Sequence, residues 1–432
     1  MIKKIGKYEI LRELGKGATS AVYEAIDPFV NRHVAVKVVF ADALGDKEHG
    51  KRYLKLFLTE ASLAGKLSHP HIVCIYDAVA DDEASYIVME YVDGMTLEHH
   101  SRPEHLLPIN KVIEIVFKCT KALDFAAKQG VIHRDIKPAN VMLSGENDIK
   151  IADFGAALTA ATETTQITGI GSPAYMSPEQ VKELPLTYQT DIFSLGVLLY
   201  QMLTGKLPFQ ANNNYGMIYQ IINIEAPAPS DSRPEVPPQL DAIVKRALQK
   251  NTADRYQTWE EMSRDLVAVF GKLQKPEMSM PDSEKFNALR QLSFFKNFAD
   301  VELWEVLRVT TWNKYGPGHT LIKEGDIGKS FFILAAGEVK ITKQGKLLNL
   351  LRVGDCFGEM AYLGKKQFQR TASVTSSTDV TAIEIKAESL AHASELCRHH
   401  FNGAFLEILV DRLSMANTRL SQMLAANNIS VF

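Results

Sequence analysis

Four short stretches bring together the side chains that phosphate chemistry requires. HRDIKPAN, 133–140, places Asp135, Lys137 and Asn140 in one loop, and IADFG puts Asp153 at the end of a strand-like run. VAVKVV carries Lys37 within an apolar strand. A lysine there needs a compensating anion, and Glu60, on the helical-looking segment that follows, can supply it. GKGATSAV, 15–22, lies between two strand-like runs, and its glycines, Gly15 and Gly17, let backbone N–H groups approach phosphate oxygens closely. It lacks the Gly-Lys-Ser/Thr ending of a Walker loop. Phosphoryl transfer spreads negative charge over oxygens, so it calls for fixed cations and for carboxylates that hold a metal. A fifth stretch, FGEMAYLGKKQFQRTASV, 357–374, opens on Gly358 and Glu359, passes through Ala361, and reaches Arg370 and Thr371. Its chemistry is that of holding something small and anionic.

The elements that must carry these residues follow from the pattern. YEILREL, AVYEAI and HVAVKVVF have the branched and aromatic enrichment of strands. RYLKLFLTEASLAGKL has helical spacing, and KVIEIVFKCTKALDFAAKQG and DIFSLGVLLYQMLTG continue a mostly helical stretch to about residue 270. GKLQKPEMSMPDSEK, 271–285, is polar, with two prolines, and reads as a linker. Short β-like runs then recur between glycines: HTLIKEGD, KSFFILAAGEVKIT, KLLNLLRVGD, RTASVTS and TDVTAIEIK. That spacing predicts an antiparallel sandwich or barrel. The last helical segment carries Phe405, Leu406, Leu409, Leu413, Ala416, Leu420 and Leu424 as one expected stripe, suited to a coiled seam between two copies or to packing on its own barrel.

Composition narrows the class. With 432 residues, 46% hydrophobic and 23% charged, the chain is globular and long enough for two or three units. A net charge of −3 argues against bulk electrostatic binding to nucleic acid or membranes. Four scattered cysteines form no CxxC pair, which favours the cytoplasm over a disulfide framework. The apolar run Ile192 to Leu203 is short and interrupted by Ser194, Gly196, Tyr200 and Gln201, so it reads as a buried helix and not a membrane span.

In order and spacing, residues 8–270 resemble the eukaryotic-like protein kinases. The resemblance implies ATP and Mg²⁺ as cofactors. Gly15 and Gly17 cover the phosphates; Leu14, Val22 and Ala35 line the nucleotide pocket with the hinge residues Glu90 and Val92. Lys37 holds the phosphates and pairs with Glu60, Asp135 is the catalytic base, Lys137 neutralises the transferred group, and Asn140 and Asp153 hold the metal. Lys137 two residues after Asp135 resembles the serine/threonine class, where Ser172 would bridge base and lysine. His133 is implied to be structural. The match departs at Ser20, where the family has a third glycine, and at Ser177-Pro178-Glu179, where it has Ala-Pro-Glu; Glu179 is implied to pair with Arg255. Arg134 is a cation that a phosphothreonine can recruit, and TAATETTQIT, 159–168, supplies Thr162, Thr164, Thr165 and Thr168 for activating autophosphorylation.

Residues 286–425 resemble the cyclic nucleotide-binding domains of cyclic-nucleotide-dependent kinases, gated channels and bacterial catabolite activators, including Gly325, Gly328 and Gly337 at turns. The resemblance implies cAMP or cGMP as ligand. Arg370 pairs with the phosphate through its guanidinium fork, Glu359 accepts from the ribose hydroxyl, and Gly358 and Ala361 let N–H groups meet the phosphate. Thr371 resembles cGMP-binding members and tilts the choice that way.

The expected fold is α+β: a bilobal kinase domain, 8–270, a linker, 271–285, and a jelly-roll β-barrel with a C-terminal helix, 286–425. The expected function is a serine/threonine protein kinase acting on protein substrates, controlled by the cyclic nucleotide. The alternative is a catalytically inactive, cyclic-nucleotide-binding signalling scaffold.

Overall fold

The computed structural model describes residues 3–17, 20–40, 62, 65–80, 85–145, 148–154, 158–159, 173–273, 280–360, 369–390 and 393–426. The chain divides into two compact units, Met1–Met278 and Ser279–Phe432.

The first unit opens with β1 (Lys4–Ile5), β2 (Tyr8–Lys16), β3 (Ser20–Asp27), β4 (Arg32–Val39), β5 (Ile75–Ala80) and β6 (Ser85–Glu90). They form one antiparallel sheet in the order β1-β2-β3-β4-β6-β5. Its alternating residues bury Tyr8, Ala25, Val34, Val36, Tyr86 and Val88 together. The register places Val22 opposite both Gly15 and Lys37, and Ala35 opposite Met89. Beyond β6 come short strands β7 (Gly94–Thr96), β8 (Val131–Ile132), β9 (Val141–Ser144), β10 (Asp148–Ile151) and β11 (Leu158–Thr159), paired as β10-β9-β7 and β11-β8. These small sheets carry the polar loops.

Helices supply the larger core. The helix Ile109–Lys128 buries Val112, Ile113, Val116, Phe117 and Leu123. The helix Gln189–Thr204 is buried over almost its whole length, as its nearly continuous apolar run requires. Two polar residues in its first turn, Thr190 and Asp191, are buried as well. A polar group in that position must find partners, and both do. Helices Pro238–Ala247 and Trp259–Leu273 complete the core.

The second unit begins with helices Asp282–Gln291 and Asp300–Val309, which the sequence reading passed over. The first starts inside the stretch read as a linker. Asp282 and Glu284 occupy its first turn, where the helix dipole favours acids, and Phe286 and Leu289 are fully buried. Phe286 stacks on Trp304 of the second helix with ring centroids 4.7 Å apart.

Strands β12 (Thr310–Tyr315), β13 (Thr320–Ile322), β14 (Ser330–Ala336), β15 (Val339–Lys343), β16 (Lys346–Leu351), β17 (Cys356–Phe357), β18 (Ser373–Ser376) and β19 (Val380–Lys386) follow. They build two antiparallel four-stranded sheets, β12-β19-β14-β17 and β13-β18-β15-β16. Phe332, Leu334, Phe357, Val374 and Ala382 fill the space within. β14 is buried on both sides, which explains its unbroken FFIL run. Phe332 stacks on Phe357 inside, while Phe331 meets Phe401 and Phe405 of the C-terminal helix Glu395–Ala426.

That helix divides the expected stripe. Cys397, Phe401 and Phe405 are buried, whereas Leu406, Val410 and Leu413 are more than half exposed. The helix therefore packs on its own barrel through one face and presents a second apolar face outward. No described helix is long and apolar enough to cross a membrane.

Candidate functional site

The loop 133–140 is shaped mainly by contacts from elsewhere in the chain. Asp191 accepts from the backbone N–H of His133 at 2.8 Å and of Arg134 at 2.7 Å. Burial pushes the Asp191 carboxyl up, against the lowering pull of His133 and Arg134. Arg134 adopts the left-handed conformation, φ +70°, which costs a side-chain-bearing residue free energy and persists only where the surroundings enforce it. His133 is fully buried. Its Nδ1 accepts from the Asp135 N–H at 3.3 Å and its Nε2 donates to the Ala152 carbonyl at 3.1 Å. Both ring nitrogens thus serve the backbone, in one tautomer.

The result is a convergence of charges. Lys137 Nζ donates to Asp135 Oδ2 at 2.7 Å, and Asn140 Nδ2 donates to the same oxygen at 3.0 Å and to the Asp135 carbonyl at 2.8 Å. Asn140 spends its amide N–H groups on Asp135, so its amide oxygen is the atom left for a hard cation. Asp153 follows β10, also left-handed at φ +63°. Its Oδ1 accepts from Lys37 Nζ at 2.8 Å across 116 residues of sequence. Lys37 is largely covered and Asp153 is partly open to solvent. Glu60, the partner expected for Lys37, lies outside the described residues, as do Ser172, Thr162, Thr164, Thr165 and Thr168.

The remaining residues of this site sit on the sheet above. Gly17 donates its N–H to the Ser20 carbonyl at 2.8 Å, closing the turn between β2 and β3. Leu14 is partly exposed and Ala35 is buried. Glu90 ends β6, beside Tyr91 and Val92; its carboxylate accepts from Lys150 Nζ at 2.8 Å and from the Cys74 N–H at 3.2 Å. Arg12 spans β2 and this corner, donating to Glu24 at 2.7 Å and to the Tyr91 hydroxyl at 3.0 Å. Below the loop, Arg255 donates to both oxygens of Glu179, at 2.6 and 2.7 Å.

In the second unit, Arg370 lies folded into the barrel. Its Nη1 donates to the Gly358 carbonyl at 3.0 Å and its Nη2 to the Ser330 carbonyl at 2.6 Å. Burial draws its basicity down, with Glu359, Glu384 and Asp326 opposing. Two glycines make the room. A Cβ on Gly328 would stand 2.0 Å from Arg370 Nε, and one on Gly358, at φ +77°, would stand 2.6 Å from Nη1. Glu359 is buried and paired with Arg412 of the C-terminal helix, whose Nη1 donates to it at 2.7 Å and whose Nη2 donates to the Cys356 carbonyl. Thr371 is exposed, and Ala361 lies outside the described residues.

Sequence reasoning missed Asp191, Gln180, Arg12 and Arg412. Asp191 left a signal, since an acid heading an apolar helix must be answered by buried donors. Arg412 left none, being one of several cations along an amphipathic segment.

Comparison with known proteins adds two matches. Residues 8–267 match the family model of the protein kinase domain, and residues 312–395 match that of the cyclic nucleotide-binding domain. Over 265 residues, 61% of this chain and 40% of the relative, the chain is 39% identical to a probable serine/threonine-protein kinase of Clostridium acetobutylicum. It is 38% identical over 292 residues to the serine/threonine-protein kinase PknB of Mycolicibacterium smegmatis, covering 66% of this chain and 46% of the relative. It is 40% identical over 293 residues to PknB of Mycobacterium tuberculosis, with the same coverage. The matched part of the chain spans less than half the length of each of these relatives.

Proposed function

This chain belongs to the protein kinase family, and we propose that it transfers the γ-phosphate of ATP to serine or threonine hydroxyls of protein substrates. The observation that carries this reading is a pair of charged groups on adjoining backbone: Lys37 on Asp153, and Lys137 and Asn140 on Asp135, with the Ala152 N–H donating to the Asn140 carbonyl at 2.9 Å between the two runs. Asp135 orients and deprotonates the acceptor hydroxyl, and Lys137 offsets charge on the group in transfer. The carboxylate of Asp153 and the amide oxygen of Asn140 suit a hard cation such as Mg²⁺, which supplies Lewis-acid stabilisation of the phosphate oxygens when bound. Lys37 meets the nucleotide phosphates. Gly15, Gly17, Leu14, Val22 and Ala35 cover the nucleotide, with Glu90 and Val92 beside its base. The test is phosphate transfer to a generic basic protein, with and without cAMP or cGMP; no transfer by the intact chain overturns the reading.

Transfer is supported by phosphorylation of the chain itself within 159–168, at one of Thr162, Thr164, Thr165 and Thr168. The supporting feature is Arg134, whose Nε is buried without a hydrogen-bond partner among the described residues and so suits a phosphate. Incubation with ATP followed by mass spectrometry is expected to find phosphate between Asp153 and Glu179. A phosphate-free segment after full turnover counts against it.

The second unit takes a cyclic nucleotide that sets the activity. Arg370 pairs with the cyclic phosphate, and Glu359 takes the ribose hydroxyl, with Gly358, Ala361 and Thr371 around them; the presence of Thr371 favours cGMP. Arg412 then connects the ligand's carboxylate partner to the C-terminal helix, a route by which occupancy reaches that helix. Arg370→Ala is expected to weaken binding of either nucleotide by at least about 100-fold, the scale of a lost charge-assisted pair, while basal transfer stays at the wild-type rate. Calorimetry and the transfer assay measure both, and wild-type affinity in the variant would sink the assignment.

A further inference from the structure

Gln180 follows the Ser177-Pro178-Glu179 run and plays no part in the roles given above. It is buried, with 5% of its surface exposed. Its Oε1 accepts from the Ser177 N–H at 2.9 Å, and its own N–H donates to Ser177 Oγ at 3.2 Å. This reciprocal pair caps the short helix Pro178–Val181. The other end of the amide reaches away from the cap: Nε2 donates to the Arg134 carbonyl at 2.9 Å, across 46 residues of sequence. Only this orientation of the amide satisfies an N–H on one side and a carbonyl on the other.

That carbonyl belongs to the peptide unit joining Arg134 to Asp135. The same unit's N–H, on Asp135, donates to His133 Nδ1. The unit is therefore held at both ends by side chains, and the residue before it is held in the left-handed region by Asp191. We propose that Gln180 is a positioning residue for Asp135: it fixes the plane of the peptide that carries the base and ties that plane to Ser177 and the helix it caps. The inference rests on the reading of Asp135 as the catalytic base.

The bland alternative is that Gln180 only caps its helix. A capping box uses glutamate as readily as glutamine, because only the acceptor oxygen is needed. The bond to Arg134 needs the donor. Gln180→Glu keeps the cap and sets an oxygen against the Arg134 carbonyl, whereas Gln180→Met keeps the buried volume and removes both bonds.

The experiment compares the full-length wild type with both variants in three measurements. These are steady-state phosphate transfer to a basic protein, amide hydrogen exchange over residues 131–137, and thermal unfolding. In both variants kcat is expected to fall by between about 10- and 100-fold with the KM for ATP within about twofold, as for a reacting group displaced by a fraction of an ångström. Exchange over 131–137 is expected to rise at least about tenfold. Wild-type exchange and kcat in Gln180→Glu overturn the proposal, as does a loss of kcat that only tracks the folded fraction. Should Gln180→Glu not fold, Gln180→Met decides by the same two readouts. If the wild type transfers no phosphate, the kinase reading fails on its own, and the exchange data still decide whether Gln180 holds the loop.

Discussion

Replacing Asp135 by alanine is expected to lower phosphate transfer by about 10²–10⁴-fold, the contribution of a positioned general base, which is the role proposed for it. The geometry explains why the loss falls on turnover. The Asp135 carboxylate faces Lys137 and Asn140, whereas Lys37 and Asp153 reach each other separately. The Lys37–Asp153 contact therefore survives the substitution, Asn140 keeps its bond to the backbone carbonyl of residue 135, and the KM for ATP is expected to change little. The side chain is also about a third exposed, so removing it leaves no buried charge behind, and thermal unfolding stays close to wild type. Steady-state kinetics with varied ATP, read as a split between kcat and KM, checks this. An Asp135→Ala protein within tenfold of the wild-type rate would remove the residue from the chemistry.

The sequence disclosed this cluster because its members lie in short local runs. Lys37 stands out as a charge in an apolar strand, and Asp135, Lys137 and Asn140 share one loop. What it did not disclose is how the loop is held. Asp191 reaches His133 across 58 residues, and Gln180 reaches Arg134 across 46. Neither is adjacent to the loop in sequence: an acid heading an apolar helix calls for buried donors, but nothing local says which, and a glutamine after Ser-Pro-Glu calls for none. The barrel was legible from its glycine-spaced strands, but helices Asp282–Gln291 and Asp300–Val309 were not. The first has few apolar positions, and its Phe286 is covered by Trp304 of the second, which a single-segment pattern does not reveal. The C-terminal stripe is divided for a related reason. Phe405 and Leu406 are neighbours in sequence and point to opposite environments, a difference created by Phe331 on the barrel.

The largest stability effect is expected at Arg255. Its guanidinium is fully buried, against a Glu179 that is nearly so. It also donates to the carbonyls of Gln249 at 2.6 Å, Gln189 at 3.0 Å and Lys250 at 3.3 Å. Arg255→Ala leaves Glu179 as a buried charge with only Thr190 Oγ1, at 3.0 Å, still donating to it from a side chain. Breaking one side of such a pair costs about 3–5 kcal/mol, and the calorimetric transition of the first unit is expected to fall accordingly. Removing both charges, as in Glu179→Leu with Arg255→Met, recovers part of that loss, because no buried charge then remains. Recovery is incomplete because three carbonyls still lack their donor. The pH dependence gives an independent check. In the native protein, burial pushes the Glu179 carboxyl up, but the Arg255 hydrogen bonds and charge together hold it below its ordinary 4.5. A depressed carboxyl stabilises the fold above the unfolded-state value and loses that contribution as pH falls through the folded-state value. In Arg255→Ala burial acts without that opposition and the carboxyl rises, so the variant is penalised most at neutral pH and less on acidification. The gap between the two proteins is therefore widest near pH 7 and narrows as pH falls through about 4.5. Parallel stability curves from pH 7 to 4 would show that the Glu179–Arg255 charge pair is not the source of the loss.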